Sequence, residues 1–333
     1  METKILKVDE ESLALAREII YGGGLVAMPT ETVYGLGADG TNGEAVKKIY
    51  AVKGRPSDNP LIAHVHKDYD IGKLVYVEQD YALKLKEAFM PGPLTMVFYS
   101  KGVISSVATC GGDTLAVRIP SHEGAQAFLK AVDLPVVAPS ANISKHVSPV
   151  TAQHVYDDLN GKIPLILDGG KCSGGIESTV LDVTEKVPRI LRAGLITREM
   201  IASVAGDCVY AQHKETDKVR SPGVKYGHYM PRAETARFAA EDWKTALKYY
   251  DKQKQSGRNP VLLIENSLKD EVGERNVIFL GEDAKEMAAN LFYDLRAAER
   301  ASDLIVVVEP RGKGGVYDGV MNRLTKAAKK FDG

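Results

Sequence analysis

Apolar positions recur along this chain with two different periods, and their alternation lays out the elements before any chemistry is considered. From Asp9, a helix-capping residue type, Leu13, Ala16, Ile19 and Ile20 fall on one helical face, and Gly22-Gly23-Gly24 stops the helix. Leu25-Val26-Ala27-Met28 is a continuous apolar run of the kind a buried strand makes, followed by the loop Pro29-Thr30-Glu31-Thr32-Val33-Tyr34-Gly35-Leu36-Gly37. A helix over about 42–52 precedes the apolar run Leu61-Ile62-Ala63-His64-Val65. A helical stretch near 81–89 ends at Pro91-Gly92-Pro93, and a strand from Leu94 to Tyr99 comes next. Further strands are predicted at Leu115-Ala116-Val117-Arg118-Ile119, at Leu134-Pro135-Val136-Val137-Ala138, at Pro164 to Asp168, before Val183 and at Arg189 to Arg192. Helices start near Thr151 and at Thr197.

The periodicity breaks between Gly206 and Arg232 and resumes as alternating strands and helices. Strands at 237–239, 261–264, 277–280 and 304–308, separated mostly by helices near 241–255, 283–301 and 316–330, predict a small, mostly parallel open sheet. With 333 residues the chain is long for one core, since domains usually hold about 100–200 residues, so two domains are expected. The expected division is 1–205, a linker over 206–232, and 233–333. The linker holds Ser221-Pro222-Gly223-Val224-Lys225-Tyr226-Gly227-His228-Tyr229-Met230-Pro231, a composition too structured for a plain spacer.

Composition narrows the class. At 44% hydrophobic, 26% charged and a formal net charge of -1, the chain is an ordinary globular protein without a globally basic nucleic-acid surface. Cys110, Cys172 and Cys208 are too few and too irregularly spaced for a disulfide framework or a zinc site. No apolar signal core or membrane-length run is present, and a cytoplasmic location is expected.

The candidate chemistry lies in loops beside strands. Lys53-Gly54-Arg55-Pro56-Ser57-Asp58-Asn59-Pro60 sets two cations and an amide on a backbone stiffened by two prolines, and an arginine fork and a lysine point charge both suit phosphate. Arg118 lies in an apolar strand and needs an anion, either a protein carboxylate or a ligand. Pro139-Ser140-Ala141-Asn142-Ile143-Ser144 opens a donor-rich rim after a strand. Thr32, Lys53, Arg55, Asn59, His64, Thr114, Arg118, Ser140, Asn142, Ser148, Ser178 and Arg192 together form a set dominated by cations and neutral donors, with carboxylates nearly absent. Such a pocket binds a polyanion and neutralises developing phosphate charge without an obvious general base. GxGxxG, GxxxxGK[ST] and GxSxG are all missing, so standard dinucleotide, P-loop and serine-hydrolase sites are disfavoured. Gly169-Gly170-Lys171 reads as a glycine turn. Gly312-Lys313-Gly314-Gly315, before the last helix, is a weak anion-site candidate.

PTETVYGLG, KGRPSDNPLIAHV, PGPLTMVF, TLAVRIPSH, APSANISKHVSP, DGG with GIESTVLDV, and ILRAG, in that order, resemble the threonylcarbamoyl-AMP synthases, the YrdC-like family. SPGVKYGHYMP and the tail resemble the linker and C-terminal domain of its two-domain branch, and the resemblance implies that the linker is a candidate lid excluding water from labile intermediates. The resemblance implies an α/β fold: a YrdC-like twisted mixed sheet with a concave ligand pocket, plus a smaller Rossmann-like open-sheet domain. It implies condensation of L-threonine, bicarbonate and ATP to threonylcarbamoyl-AMP and pyrophosphate, a nucleotidyl transfer serving tRNA N6-threonylcarbamoyladenosine (t6A37) formation. Threonine is then expected at Thr32, His64, Arg118, the backbone of Ala138, and Ser178. ATP is expected at Arg55, Asn59, Thr114, Ser140, Asn142, Ser148, Arg192 and Tyr226, with Lys53 and Arg55 as catalytic cations. Mg2+ is expected to be carried by ATP, with no other cofactor. The product would pass to a tRNA threonylcarbamoyl transferase complex, and weak tRNA contact is compatible with this picture. A carbamoyl transferase is disfavoured, because no acylphosphatase-like module or zinc-finger cysteines are present. A non-catalytic RNA-binding protein with a basic concave face is the remaining alternative, and near-neutral charge and 7% aromatic residues count against it.

Overall fold

A computed structural model of the chain describes residues 2–211 and 228–331. Its internal contacts divide these into two units, 2–144 with 148–211, and 145–147 with 228–331.

In the first unit the pattern becomes a 12-stranded mixed sheet. Its spatial order is Lys4–Lys7, Leu165–Asp168, Val26–Met28, Gly35–Asp39, Val136–Val137, Ile62–His64, Thr114–Arg118, Leu94–Ser100, Thr179–Asp182, Arg189–Arg192 and Val209–Tyr210, with Val75–Tyr76 paired on Leu94–Ser100. Parallel and antiparallel pairs alternate irregularly: Ile62–His64 runs parallel to Thr114–Arg118 but antiparallel to Val136–Val137. Helices Glu10–Tyr21 and Glu123–Val132 cover one part of the sheet. Ala16, Ile20, Phe128, Leu129 and Val132 pack there with Val26, Met28, Leu165 and Leu167.

Several elements escape the periodicity, among them strands Lys4–Lys7 and Val75–Tyr76 and the short helix Ser106–Thr109, and two others bear on the site. Gly35–Asp39 carries two glycines and reads as loop, yet it pairs with Val26–Met28. Glu123–Val132 is short and follows a proline-ended strand, and it too is passed over. The first unit also runs past residue 205, because Val209–Tyr210 adds an edge strand beside Arg189–Arg192.

The second unit is a five-stranded sheet in the order Val277–Phe279, Pro260–Ile264, Leu304–Val308, Glu234–Phe238, Lys329–Lys330, parallel throughout. Every residue of Pro260–Ile264 and Leu304–Val308 is buried, as a parallel sheet covered on both faces requires. Leu262, Ile264, Leu304, Val306 and Val308 pack with Ala246, Leu247 and Tyr250 of helix Trp243–Gln255.

The capping signals hold in detail. Asp9 accepts from the backbone of Ser12, whose hydroxyl accepts in return from the backbone of Asp9. Asn42 accepts from Glu44 N and Ala45 N at 3.1 and 3.2 Å and starts helix Gly43–Lys53, which ends at Gly54 with φ 59°. That left-handed residue suits glycine and turns the chain abruptly into the loop at Arg55. Replacing Asn42 by Ala is expected to destabilise the first unit by about 1 kcal/mol, and by Gly only a few tenths, measured by urea denaturation.

Candidate functional site

The site starts at the loop after Val26–Met28. Thr30 Oγ1 accepts from the backbone N–H of Thr32 and Val33, both at 3.2 Å, and lies 2.9 Å from Thr32 Oγ1. This hydroxyl turn brings Thr32 to the end of strand Thr114–Arg118. The loop is also fixed from behind: Tyr34, fully buried, donates to Gly170 O at 2.8 Å and accepts from Gly169 N at 3.1 Å. Asp168 Oδ1 in turn accepts from Gly170 N, so the DGG turn is structural, as its glycines suggest.

Arg118 is 4% exposed and closely partnered. Nη2 donates to Glu31 Oε1 at 2.7 Å, Nη1 to Thr32 Oγ1 at 2.8 Å, and Nε to Gly92 O at 3.4 Å. Glu31 Oε2 accepts from Ser121 N at 3.1 Å. The anion that the strand arginine needs is thus present in the protein itself.

His64 stands opposite Arg118 in the parallel register. Its Nδ1 donates to Ile62 O at 3.1 Å. Burial, together with the Arg118 charge, pushes its pKa down to about 3, so the ring is neutral at physiological pH. Ala138 lies beside them, its N–H bonded to Ile62 O.

Lys53 is not an open cation. It is 2% exposed, and its Nζ donates to the carbonyls of Ser140 and Asn142, the latter at 2.6 Å. Ser140 Oγ donates to Asn142 Oδ1 at 2.5 Å, Ala141 N to Tyr34 O and Ser144 N to Lys53 O, both at 2.8 Å. Arg55 Nη2 reaches Asn59 O at 3.3 Å. The Asn59 side chain is 1% exposed, and among the described residues its Oδ1 has no hydrogen-bond partner, a costly state for a buried polar atom unless a ligand supplies one.

Just before strand Thr179–Asp182, Ser178 Oγ lies 2.8 Å from Thr95 Oγ1 and accepts from Arg192 Nη2 at 3.2 Å. Arg192 Nε donates to Ser178 O at 3.1 Å. Ser148 donates to Glu177 Oε1 at 2.6 Å. Gly194 makes this approach feasible, since a Cβ there would lie 2.5 Å from Thr179 N and 2.8 Å from Glu177 O.

Three tight groups therefore form: Thr32, His64 and Arg118; Lys53, Ser140 and Asn142; Ser178 with Arg192. Thr114 is buried at the opposite end of its strand from Arg118, about 13 Å away along the backbone. Tyr226, and most of the linker proposed as a lid, lie outside the described residues. Lys313 is exposed, and Gly315 begins helix Val316–Ala327 without a side-chain cap. The sequence reading missed Glu31 and Glu177, which are 9% and 7% exposed. One signal was available for Glu31: a strand arginine needs a carboxylate, and this one adjoins Thr32. Among the described residues no group of three His, Cys, Asp or Glu side chains could hold a metal ion.

The His64 environment gives a pH dependence. An unfolded imidazole titrates near 6.5 and the folded one near 3, so between these values the unfolded chain binds a proton that the folded chain does not. This contribution to stability falls as pH drops below 6.5 and levels off near 3. Urea denaturation from pH 7 to 4 should show a shallower acid loss for His64→Gln than for the wild type, by roughly 1 kcal/mol per pH unit. Identical slopes would show that His64 titrates normally.

A sequence model of the Sua5, YciO and YrdC proteins, described as "Telomere recombination", matches residues 18–194, and one described as "Threonylcarbamoyl-AMP synthase, C-terminal domain" matches residues 196–329. A threonylcarbamoyl-AMP synthase of Pyrococcus abyssi is 39% identical over 330 residues, 97% of this chain and 95% of the relative. One from Bacillus subtilis is 37% identical over 332 residues, 98% and 95% of the respective chains. The crystal structure of P. abyssi Sua5 complexed with L-threonine matches with a TM-score of 0.91 and 38% identity, covering 99% of this chain and 100% of that one. Motifs, both domains and near-full-length likeness agree: the chain belongs to the threonylcarbamoyl-AMP synthase family, in its two-domain form.

Proposed function

We propose that the chain is a nucleotidyltransferase that condenses L-threonine, bicarbonate and ATP to L-threonylcarbamoyladenylate and pyrophosphate, supplying the tRNA t6A37 modification. The observation that carries this reading is the buried corner of Thr32, His64 and Arg118, in a chain so similar to a protein solved with L-threonine. Among the described residues Arg118 uses three of its five N–H donors, on Gly92, Thr32 and Glu31, so two remain there for a substrate carboxylate. Threonine is taken there, with the Ala138 backbone and Ser178 completing its site. His64, neutral, serves by hydrogen bonding rather than as a cation.

The nucleotide is taken by Arg55, Asn59, Thr114, Ser140, Asn142, Ser148 and Arg192. It arrives as its Mg2+ complex, the ion belonging to the substrate. Arg55 offers a guanidinium fork to the phosphates. Lys53 acts from behind, fixing the loop of Ser140 and Asn142. Threonine amine and bicarbonate give a carbamate with loss of water. A carbamate oxygen then attacks the α-phosphorus, the bond to the bridging oxygen breaks, and pyrophosphate leaves. Positioning and charge neutralisation account for this step. Hydrogen-bonded Glu31 and Glu177 neutralise or orient neighbours.

A cytoplasmic location fits a tRNA-modifying role, and among the described residues no helix is long and apolar enough to cross a membrane. A downstream tRNA threonylcarbamoyl transferase would receive the product. The RNA-binding alternative fares poorly: Lys53, Arg118 and Arg192 are 2–6% exposed, whereas phosphate-backbone binding needs cations at the surface.

Purified protein is expected to release pyrophosphate from ATP only when threonine and bicarbonate are both supplied. Equal turnover without threonine would refute the reading. Arg55→Ala is expected to lower kcat/KM for ATP by roughly a hundredfold or more while the unfolding midpoint changes little. Near-normal kinetics would remove Arg55 from the phosphate site.

A further inference from the structure

Lys145-His146-Val147 sits in sequence between Asn142 and Ser148, yet packs with the second unit. On either side the chain is held by the first unit: Ile143 N by Asp158 Oδ2 at 3.4 Å, Ser144 N by Lys53 O at 2.8 Å, and Ser148 Oγ by Glu177 at 2.6 Å. Lys145 has φ 72°, a left-handed conformation unusual for a side chain-bearing residue, where the path changes direction.

Each residue of the tripeptide is gripped within the second unit. Lys145 O accepts from Met230 N at 2.9 Å. His146 Nε2 lies 2.9 and 3.0 Å from the two oxygens of Glu299, on helix Ala284–Ala301. Val147 O accepts from Arg296 Nη2 at 2.6 Å, one turn earlier on that helix. Glu299 Oε2 also accepts from Arg232 N at 2.8 Å. Both His146 and Glu299 side chains are under 10% exposed. A buried carboxylate joining an imidazole to the backbone at 232 is an expensive feature to keep in a mere surface loop.

We propose that this tripeptide is the tether through which the second unit sets the nucleotide loop of the first, with His146 and Glu299 as positioning residues for ATP. The assignment of nucleotide to Ser140, Asn142 and Ser148 rests on the function proposed above. Threonine-site residues are anchored otherwise, Ala138 by Ile62 O and Arg118 by Glu31 and Thr32, so the tether acts on one substrate and not the other.

The test uses the full chain with Glu299→Ala, Glu299→Gln and His146→Ala. Without substrates, amide hydrogen exchange over residues 143–148 should rise about tenfold in Glu299→Ala and His146→Ala, as expected for loss of a hydrogen bond to a charged group, and stay near wild type in Glu299→Gln, which still accepts from the imidazole. KM for ATP should rise roughly fivefold or more in the two alanine variants, with kcat and KM for threonine within about twofold. In a double variant the ATP effect should not increase further. Unchanged exchange in the alanine variants would overturn the tether, as would equal losses for both substrates. If Glu299→Ala does not fold, His146→Ala decides by the same readouts. Should the wild type make no threonylcarbamoyl-AMP, the proposed function fails while the exchange data still judge the tether.

Discussion

A guanidinium buried in the middle of a sheet must be neutralised and hydrogen-bonded on the spot, and Arg118 imposes that demand on everything near it. Glu31 supplies the charge, Thr32 and Gly92 supply acceptors, and the loop bearing Glu31 is in turn locked by Thr30, Tyr34 and the DGG turn. His64, in register with Arg118, is left uncharged by the same burial and the same positive neighbour. One residue thereby links the conformation of a loop and the protonation of a histidine.

Lys53 applies the same logic beside the loop of Ser140 and Asn142. An ammonium at 2% exposure is coordinated by carbonyls of the Ser140–Asn142 loop, so a charge that looks suited to direct phosphate contact shapes backbone instead. Its placement depends on helix Gly43–Lys53 ending where Gly54 turns left-handed. Close approach is equally decisive around Ser178, where Gly194 leaves room for the backbone of Glu177 and Thr179.

Helix caps, buried strand runs and the alternating tail were legible because each depends on residues near in sequence: Asp9, Asn42, Thr151 and Thr197 all cap as their types suggest. Gly35–Asp39 was not legible, since its pairing partners lie far along the chain and its glycines argue locally for a loop. In the site, cations and hydroxyls announce themselves in motifs. Glu31 and Glu177 did not, because an acidic residue in a loop looks like ordinary solvated charge until its distant partners, Arg118 and Ser148, are known. The excursion at Lys145–Val147 has no local signature either, as its partners lie more than eighty residues later.

That excursion makes the second unit discontinuous along the chain. During synthesis the tripeptide emerges some eighty residues before the rest of the unit to which it belongs, so it must wait, already flanked by folded or folding sequence, for helix Ala284–Ala301 to appear. The loop from Ser140 to Ser148 therefore completes its hydrogen bonds only once residues 230, 296 and 299 have been made. The order of synthesis and the completion of that loop are linked through three residues.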